Sequence, residues 1–505
     1  MKQNLKFSIG FFGGLGIFLL IVVFGDLEPG HPEVTYTLAI AVLMAIWWIT
    51  EVVPLAVTSL LPVVLFPLFG VANGKVVSSS YFNDIIFLFI GGFLLALAMQ
   101  KWNLHKRIAL KILMFTGVSA GKILLGFMLA TAFLSMWISN TATAMMMIPI
   151  VISILDQLEH DIGKKSMKSF STGMLLGIAY SASIGGIATL VGTPPNMAFV
   201  KIFSETFPGA PEIGFGQWMI FAFPVSFIML VVLWFYLYFV FFRTKKMKTA
   251  TLDPDTFRKQ YAKLGKMSFA EKAVLVDFVL FALLLLTRAD ISLGNFTIPG
   301  WAGLFNNPGY LNDGTVAVTI GILLFLIPSG KKGNKKVMDW KTAHQIPWNI
   351  ILLFGGGFAL AKGFVVSGLS VWIGNQLSAV IHFHPLIIVI CVTTLMIFLT
   401  EVTSNTATTQ MLLPILAGLA VSSNINPMLF MLAATLAGSM AFMLPVATPP
   451  NAIIFGTNRI EISSMAKTGL ILNLIGIIVI SLVVWFLGRF VFDIDLNVMP
   501  GWAKF

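Results

Sequence analysis

The sequence predicts an all-α, polytopic membrane protein of about eleven transmembrane helices and two re-entrant hairpins, arranged as an inverted repeat. Three observations carry this. Charge is sparse: Asp, Glu, Lys and Arg make up 10% of the 505 residues and the mean hydropathy is +0.92, whereas a soluble domain carries about 25% charged residues. Apolar runs of spanning length alternate with short basic loops. A polar break, Ser139-Asn140-Thr141, returns as Ser404-Asn405-Thr406 at an offset of 404 − 139 = 265 residues, and each is followed by a proline, Pro149 and Pro414. A second break follows each one: Gly192-Thr193-Pro194-Pro195-Asn196 and Ala447-Thr448-Pro449-Pro450-Asn451.

The chain opens with Lys2 and Lys6 and an apolar run over 7–24. No small-residue cleavage pattern follows it, so residues 1–34 are read as a first span outside the repeat rather than a signal peptide. The first repeat covers 35–242. It begins with apolar stretches over 35–49 and 54–69, joined by Trp47-Trp48-Ile49-Thr50-Glu51, and continues with 85–99, which contains Gly91-Gly92. Lys101, Lys106, Arg107, Lys111 and Lys122 mark a cytoplasmic segment with an amphipathic surface helix. The first hairpin is placed at 123–158, because the basic Lys164, Lys165 and Lys168 follow it and both its ends read as cytoplasmic. Two ordinary helices with a polar outer loop would be the alternative, but the Ser-Asn-Thr segment lacks the Gly, Pro or charge of an exposed turn. A broken span over 169–200 and a span over 221–242 complete the half. Pro194 and Pro195 have no amide hydrogens, so no regular helix runs through them.

Residues 243–272, rich in Lys and Arg, with Asp253 and Pro254 as turn residues, form a cytoplasmic linker. The second repeat covers 273–505. Spans are read over 273–287 and 315–327, followed by the inner-side basic cluster Lys331, Lys332, Lys335, Lys336 and Lys341. Gly355-Gly356-Gly357 echoes Gly91-Gly92. The second hairpin, 385–422, is flanked by His382, His384 and Ser422-Ser423-Asn424 without Lys or Arg, so it enters from outside. A broken span over 428–455 and a last span over 469–492 leave the C-terminus external and the N-terminus cytoplasmic, in a plasma (inner) membrane. The net charge of +11 is thus accounted for by loops of positive-inside type, and no nucleic-acid partner is expected. The single Cys391 excludes an intrachain disulfide or a cysteine metal site.

Each Ser-Asn-Thr supplies two hydroxyls and an amide, which can donate to an anionic oxygen or offer oxygens to a hard cation. The limb after a helix break presents unpaired N–H groups and a positive dipole end, suited to a carboxylate; the limb before it presents free carbonyls. Two such tips meeting from opposite faces would hold a linear dianion by both ends. No Arg or Lys lies beside either tip, so mobile cations are expected to supply the positive charge, which favours symport. A single Ser-Asn-Thr would read as interhelical glue; two, each paired with a Pro-Pro break, read as a binding site. Glu51 and Glu401 are acids at membrane depth, either functional or helix-end residues, and Glu401 could neutralise a cation or relay protons. His382 and His384 read as surface residues, the glycine runs as close helix packing, and Met145-Met146-Met147 as core filler. No catalytic His/Asp/Ser cluster stands out, so an enzyme is not expected.

Trp47-Trp48-Ile49-Thr50-Glu51, both Ser-Asn-Thr motifs, the 183–196 segment SIGGIATLVGTPPN and the 442–451 segment FMLPVATPPN together resemble the divalent anion:sodium symporter family, the INDY-type carriers of dicarboxylates and citrate. The resemblance covers nearly the whole chain. It implies a homodimer in lipid, with a scaffold and a transport domain that moves as an elevator, sodium as the coupling ion and no organic cofactor. It implies one sodium site at Ser135, Ser139, Asn140 and the Gly192 backbone, and another at Thr400, Thr403, Asn405 and the Ala447 backbone. Substrate would meet Ser139, Asn140, Thr141, Thr193, Ser404, Asn405, Thr406, Thr448 and Pro449. Thr403 stands where related carriers have Ala or Ser, a change of little consequence if the contact is through backbone. The expected function is sodium symport of C4-dicarboxylates such as succinate, malate and fumarate; a sodium-independent dicarboxylate exchanger and a proton-coupled ion transporter are the alternatives.

Overall fold

The computed structural model describes residues 2–162, 164–242, 255–293, 296–330, 336–377, 383–496 and 498–503. Helices dominate, and among the described residues seven helical stretches are long and apolar enough to cross a membrane, accompanied by six shorter apolar helices. One small departure from an all-helical chain is an antiparallel ribbon, Ile291–Leu293 paired with Phe296–Ile298. The expected turn at Asp253 and Pro254, the lysines Lys331, Lys332 and Lys335, and His382 lie outside the described residues, as does the 243–254 part of the linker. The rest of that linker includes a helix, Asp255–Lys263.

The 265-residue repeat is visible in the element boundaries. Helix Leu104–Thr116 corresponds to Leu369–Gln376, Ala120–Ser135 to Pro385–Thr400, and Asn140–Ile162 to Asn405–Ser422; the first residue of each pair is offset by 265, for example 385 − 120 = 265. Both limbs that lead into a Ser-Asn-Thr break are 16 residues long, about 24 Å at 1.5 Å per residue, and so short of the ~30 Å apolar core. The first hairpin starts three residues before the expected 123 and ends at 162 rather than 158, while the second matches 385–422. The return limbs differ. The first half has helices of 23 and 24 residues, Asn140–Ile162 and Lys164–Ile187, where the second has 18 and 11, Asn405–Ser422 and Pro427–Ala437.

Several expectations need correction. The 54–69 stretch is not one span but two short helices, Leu55–Thr58 and Leu61–Leu68, with Pro54 and Pro62 each placed where a missing amide costs nothing. The basic 104–116 helix is not wholly a solvated face. Arg107 is buried, its Nε 2.5 Å from Glu271 Oε1 and its plane over Tyr261, and it pins this helix to Phe269–Leu286. Met145 is exposed while Met147 is buried, so only part of that triplet fills the core.

The glycines pack as expected. A Cβ at Gly91 would lie 2.3 Å from the Ala317 backbone, one at Gly356 2.4 Å from Ser59 O and one at Gly357 2.2 Å from the Gln410 amide carbon. Close approach of helix 84–101 to 313–326, and of 348–366 to its neighbours, therefore requires residues without side chains.

The two halves interlock. The helix after the first Pro-Pro break, Pro194–Thr206, packs on Asn405–Ser422; the helix after the second, Pro449–Phe455, packs on Asn140–Ile162 and Lys164–Ile187. Each half's second break is thereby held against the other half's tip. Lys201, on the first of these helices, also bonds Asp84 at 3.3 Å and Glu205 at 3.1 Å, and Glu205 bonds Lys362 at 3.3 Å.

Candidate functional site

Each Ser-Asn-Thr tip is built the same way. Four residues leave the helix, Met136 to Ser139 and Glu401 to Ser404, and the next residue starts a new helix. Ser139 Oγ accepts from Ala142 N at 3.3 Å, and Ser404 Oγ from Ala407 N at 3.5 Å. The serines satisfy one amide of each new helix and leave others free at its positive end.

Both tips face one cavity of about 890 Å³. Its wall includes Ser139, Asn140, Thr141, Gly192, Thr193 and Pro194 from the first half and Thr403, Ser404, Asn405, Thr406, Ala447, Thr448 and Pro449 from the second. The residues singled out in the sequence are therefore gathered at one place, with two exceptions. Ser135 and Thr400, which correspond across the repeat, are fully buried behind the tips and do not line the cavity. Among the described residues no Lys or Arg lines the wall, and its one ionisable residue is Glu51.

Oxygens converge behind the first tip. The Asn140 amide is placed with Oδ1 2.6 Å from Ser135 Oγ, 3.0 Å from Ala182 O and 3.3 Å from Gly192 O. These contacts are satisfied when the amide turns to donate its N–H groups to the three; the same oxygens would suit a hard monovalent ion. Space for this cluster depends on Gly186, where a Cβ would lie 2.5 Å from Asn140 Oδ1 and 3.0 Å from Gly192 O. Ala182 and Gly186 escape a reading of the sequence because one contributes only a carbonyl and the other only the lack of a side chain.

At the second tip, Asn405 Oδ1 is buried without a partner. Thr400 Oγ1 donates to Ile397 O at 3.0 Å. The Thr403 hydroxyl is occupied by Leu399 O at 2.7 Å and Thr408 Oγ1 at 2.6 Å. Both of these contacts are within the second hairpin itself.

The second breaks are held by matching asparagines. Asn196 Nδ2 donates to Gly186 O at 3.4 Å, Ile187 O at 3.0 Å and Thr189 O at 2.7 Å. Asn451 Nδ2 donates to Ala441 O and Leu444 O, both at 3.1 Å. The offset is 255 throughout: 451 − 196, 441 − 186 and 444 − 189. Thr448 Oγ1 accepts from Asn451 N at 3.3 Å, whereas Thr193 makes no such bond.

Of the two readings of Glu401, the structure bears out the helix-end one: it follows Pro385–Thr400 directly. Its carboxylate accepts from the amides of Phe442 (2.8 Å), Met443 (2.9 and 3.0 Å) and Leu444 (3.1 Å) and from Asn473 Nδ2 (2.7 Å). Every partner is a donor, which is the pattern of an ionised carboxylate. It is off the cavity wall and holds the unwound 438–448 stretch in place. His384 is likewise structural: it caps Pro385–Thr400 by accepting from Leu386 N at 3.3 Å and lies beside Trp485. Among the described residues no group of His, Cys, Asp or Glu could hold a metal ion.

Comparison with known proteins places this architecture. The chain is 45% identical to the sodium-dependent dicarboxylate transporter SdcS of Staphylococcus saprophyticus, over 98% of this chain and 95% of that protein. It is also 45% identical to SdcS of Staphylococcus aureus strain bovine RF122 over the same shares. Two solved structures share the fold at low identity. The YdaH transporter of Alcanivorax borkumensis aligns with a TM-score of 0.51 at 12% identity, over 82% of this chain and 86% of that one. MtrF of Neisseria gonorrhoeae aligns with a TM-score of 0.55 at 13% identity, over 96% and 99%. The model of the sodium:sulfate symporter transmembrane region matches residues 15–493, and the chain belongs to that family.

Proposed function

We propose that the chain is a secondary active transporter, not an enzyme, that carries C4-dicarboxylates such as succinate, malate and fumarate across the plasma membrane together with sodium ions. The observation that supports this best is the single cavity walled by both Ser-Asn-Thr tips and free of Lys and Arg. Two helix N-termini offer amides to the two carboxylates, and cations held behind the tips balance the charge. An anion gripped by dipoles and mobile ions is released when the ions leave. The names of the SdcS relatives agree with this chemistry.

In this reading Ser139, Asn140, Thr141, Thr193, Ser404, Asn405, Thr406, Thr448 and Pro449 meet the substrate. One sodium ion lies among Ser135, Ser139, Asn140 and Gly192, with Ala182 O as a further ligand; another lies among Thr400, Thr403, Asn405 and Ala447. Residues 35–242 and 273–505 form inverted repeats around the 243–272 linker, with 1–34 outside them, the N-terminus cytoplasmic and the C-terminus external. Hairpins whose leading limbs are too short to cross, joined to broken helices that interlock across the repeat, suit a transport body that shifts as a unit against a scaffold in a homodimer. Glu401, occupied by backbone amides and off the cavity wall, is a poor proton relay, which disfavours proton coupling.

The test is succinate uptake into proteoliposomes under an inward sodium gradient. Uptake should collapse when choline replaces sodium. Uptake that persists in choline and needs internal dicarboxylate would make the chain an exchanger instead.

A further inference from the structure

Among the described residues, Glu51 is the only ionisable one on the cavity wall. It shares that wall with the two tips and with Thr50, Pro54, Leu55, Asn349 and Ile350. Its backbone is left-handed, with φ 50° and ψ 31°, and it ends helix Pro32–Thr50 with its N–H donated to Trp47 O at 2.9 Å. Glycine or asparagine takes that conformation at lower cost, so a glutamate there has to be explained by its side chain. The side chain is exposed, and among the described residues it makes no hydrogen bond or ion pair. Glu51 thus caps the helix through its backbone alone, and among the described residues its side chain takes part in neither the cap nor a salt bridge.

The sign of the charge narrows what it can do. A fixed negative charge facing the cavity repels a dianion, so it cannot serve the substrate alone. It attracts cations, and a low-dielectric cavity lined by one sign of charge concentrates the opposite ion. Among the described residues no other charged side chain lines the wall.

We propose that Glu51 is a positioning residue that recruits sodium to the cavity, without ligating the ion at its final site. The idea rests on the sodium-coupled reading above. Neutralising Glu51 weakens sodium capture and leaves the grip on the dicarboxylate at saturating sodium unchanged or tighter.

The experiment measures initial succinate uptake in proteoliposomes against sodium concentration, with total ionic strength held constant by choline. Glu51→Gln should raise the sodium concentration for half-maximal rate about three- to tenfold, with the maximal rate within about twofold and the succinate half-saturation at saturating sodium no higher than in the unaltered protein. Glu51→Asp should restore most of the sodium response. Glu51→Gly suits the left-handed backbone and also lacks the charge; it should behave as Glu51→Gln does and keeps the test open should the glutamine variant not fold. Raising the constant ionic strength should shrink the gap between Glu51→Gln and the unaltered protein, since an exposed charge is screened. An unchanged sodium response in Glu51→Gln and Glu51→Gly overturns the inference, as does a raised succinate half-saturation at saturating sodium, which would make Glu51 part of the substrate site. Failure of the unaltered protein to respond to sodium would instead sink the coupled-transport reading, so the two failures are distinguishable.

Discussion

The two second breaks do the same job with different chemistry. In the first half the unwound stretch is six residues, Ala188 to Thr193; in the second it is eleven, Gly438 to Thr448. Asn196 and Asn451 hold equivalent carbonyls in both. The short stretch needs little more: Thr189 Oγ1 donates to the carbonyl of Met136 at 2.5 Å and accepts from Gly192 N at 3.1 Å. The long stretch has three amides with no helical partner, and at the position equivalent to Met136, 136 + 265 = 401, the chain has Glu401 to receive them. A buried charge here is the consequence of a longer break. The lesson is that an acid inside a membrane protein can be answering a local deficit of acceptors rather than handling the transported ion.

The largest expected effect probes what the halves share. Asn140→Ala and Asn405→Ala should each lower apparent sodium affinity and uptake by about 10–100-fold, the range seen when a metal's supporting ligands are lost, while both variants elute as the unaltered protein does on size exclusion. A loss confined to one of them would break the symmetry between the tips.

A smaller effect separates the halves. Glu401→Gln turns an N–H2 toward backbone amides and should cost about 1–3 kcal/mol for each amide left unpaired, read as a lowered unfolding temperature with or without sodium. Met136→Leu should leave that temperature nearly unchanged, because Thr189 needs only the Met136 carbonyl. Equal stability of Glu401→Gln and the unaltered protein would refute the anchoring role.

The finest distinction lies at the polar clusters behind the tips. Gly186 faces Asn140, and its equivalent in the second half is Ala441. Gly186→Ala should weaken sodium-dependent uptake and cost about 1–3 kcal/mol from overpacking, whereas Ala441→Gly should retain most of its uptake. Matching phenotypes in the two variants would mean that the first cluster is no tighter than the second.

Much of this was readable in one dimension. The Ser-Asn-Thr and Pro-Pro-Asn twins mark the breaks because proline and small polar residues interrupt apolar helices wherever they fall. The 265-residue spacing also carried the helix boundaries from one half to the other. What stayed hidden involves atoms that do not depend on residue type or that meet across distant sequence. The Ala182 carbonyl, the space at Gly186 and the Glu401–Asn473 contact are of this kind. The break within 54–69 was missed because Pro54 and Pro62 fall at helix starts, where they do not disturb an apolar pattern. Ser135 and Thr400, expected as cation ligands rather than substrate contacts, are buried behind the tips, since a helix presents only one side to the cavity.

Calorimetric titration of succinate into the purified protein, once in sodium chloride and once in choline chloride, addresses the central claim most directly. Binding in sodium that vanishes in choline, and vanishes alike in Asn140→Ala and Asn405→Ala, is what two uncharged tips sharing one dianion with bound cations must give. Equal affinity in the two salts would contradict it.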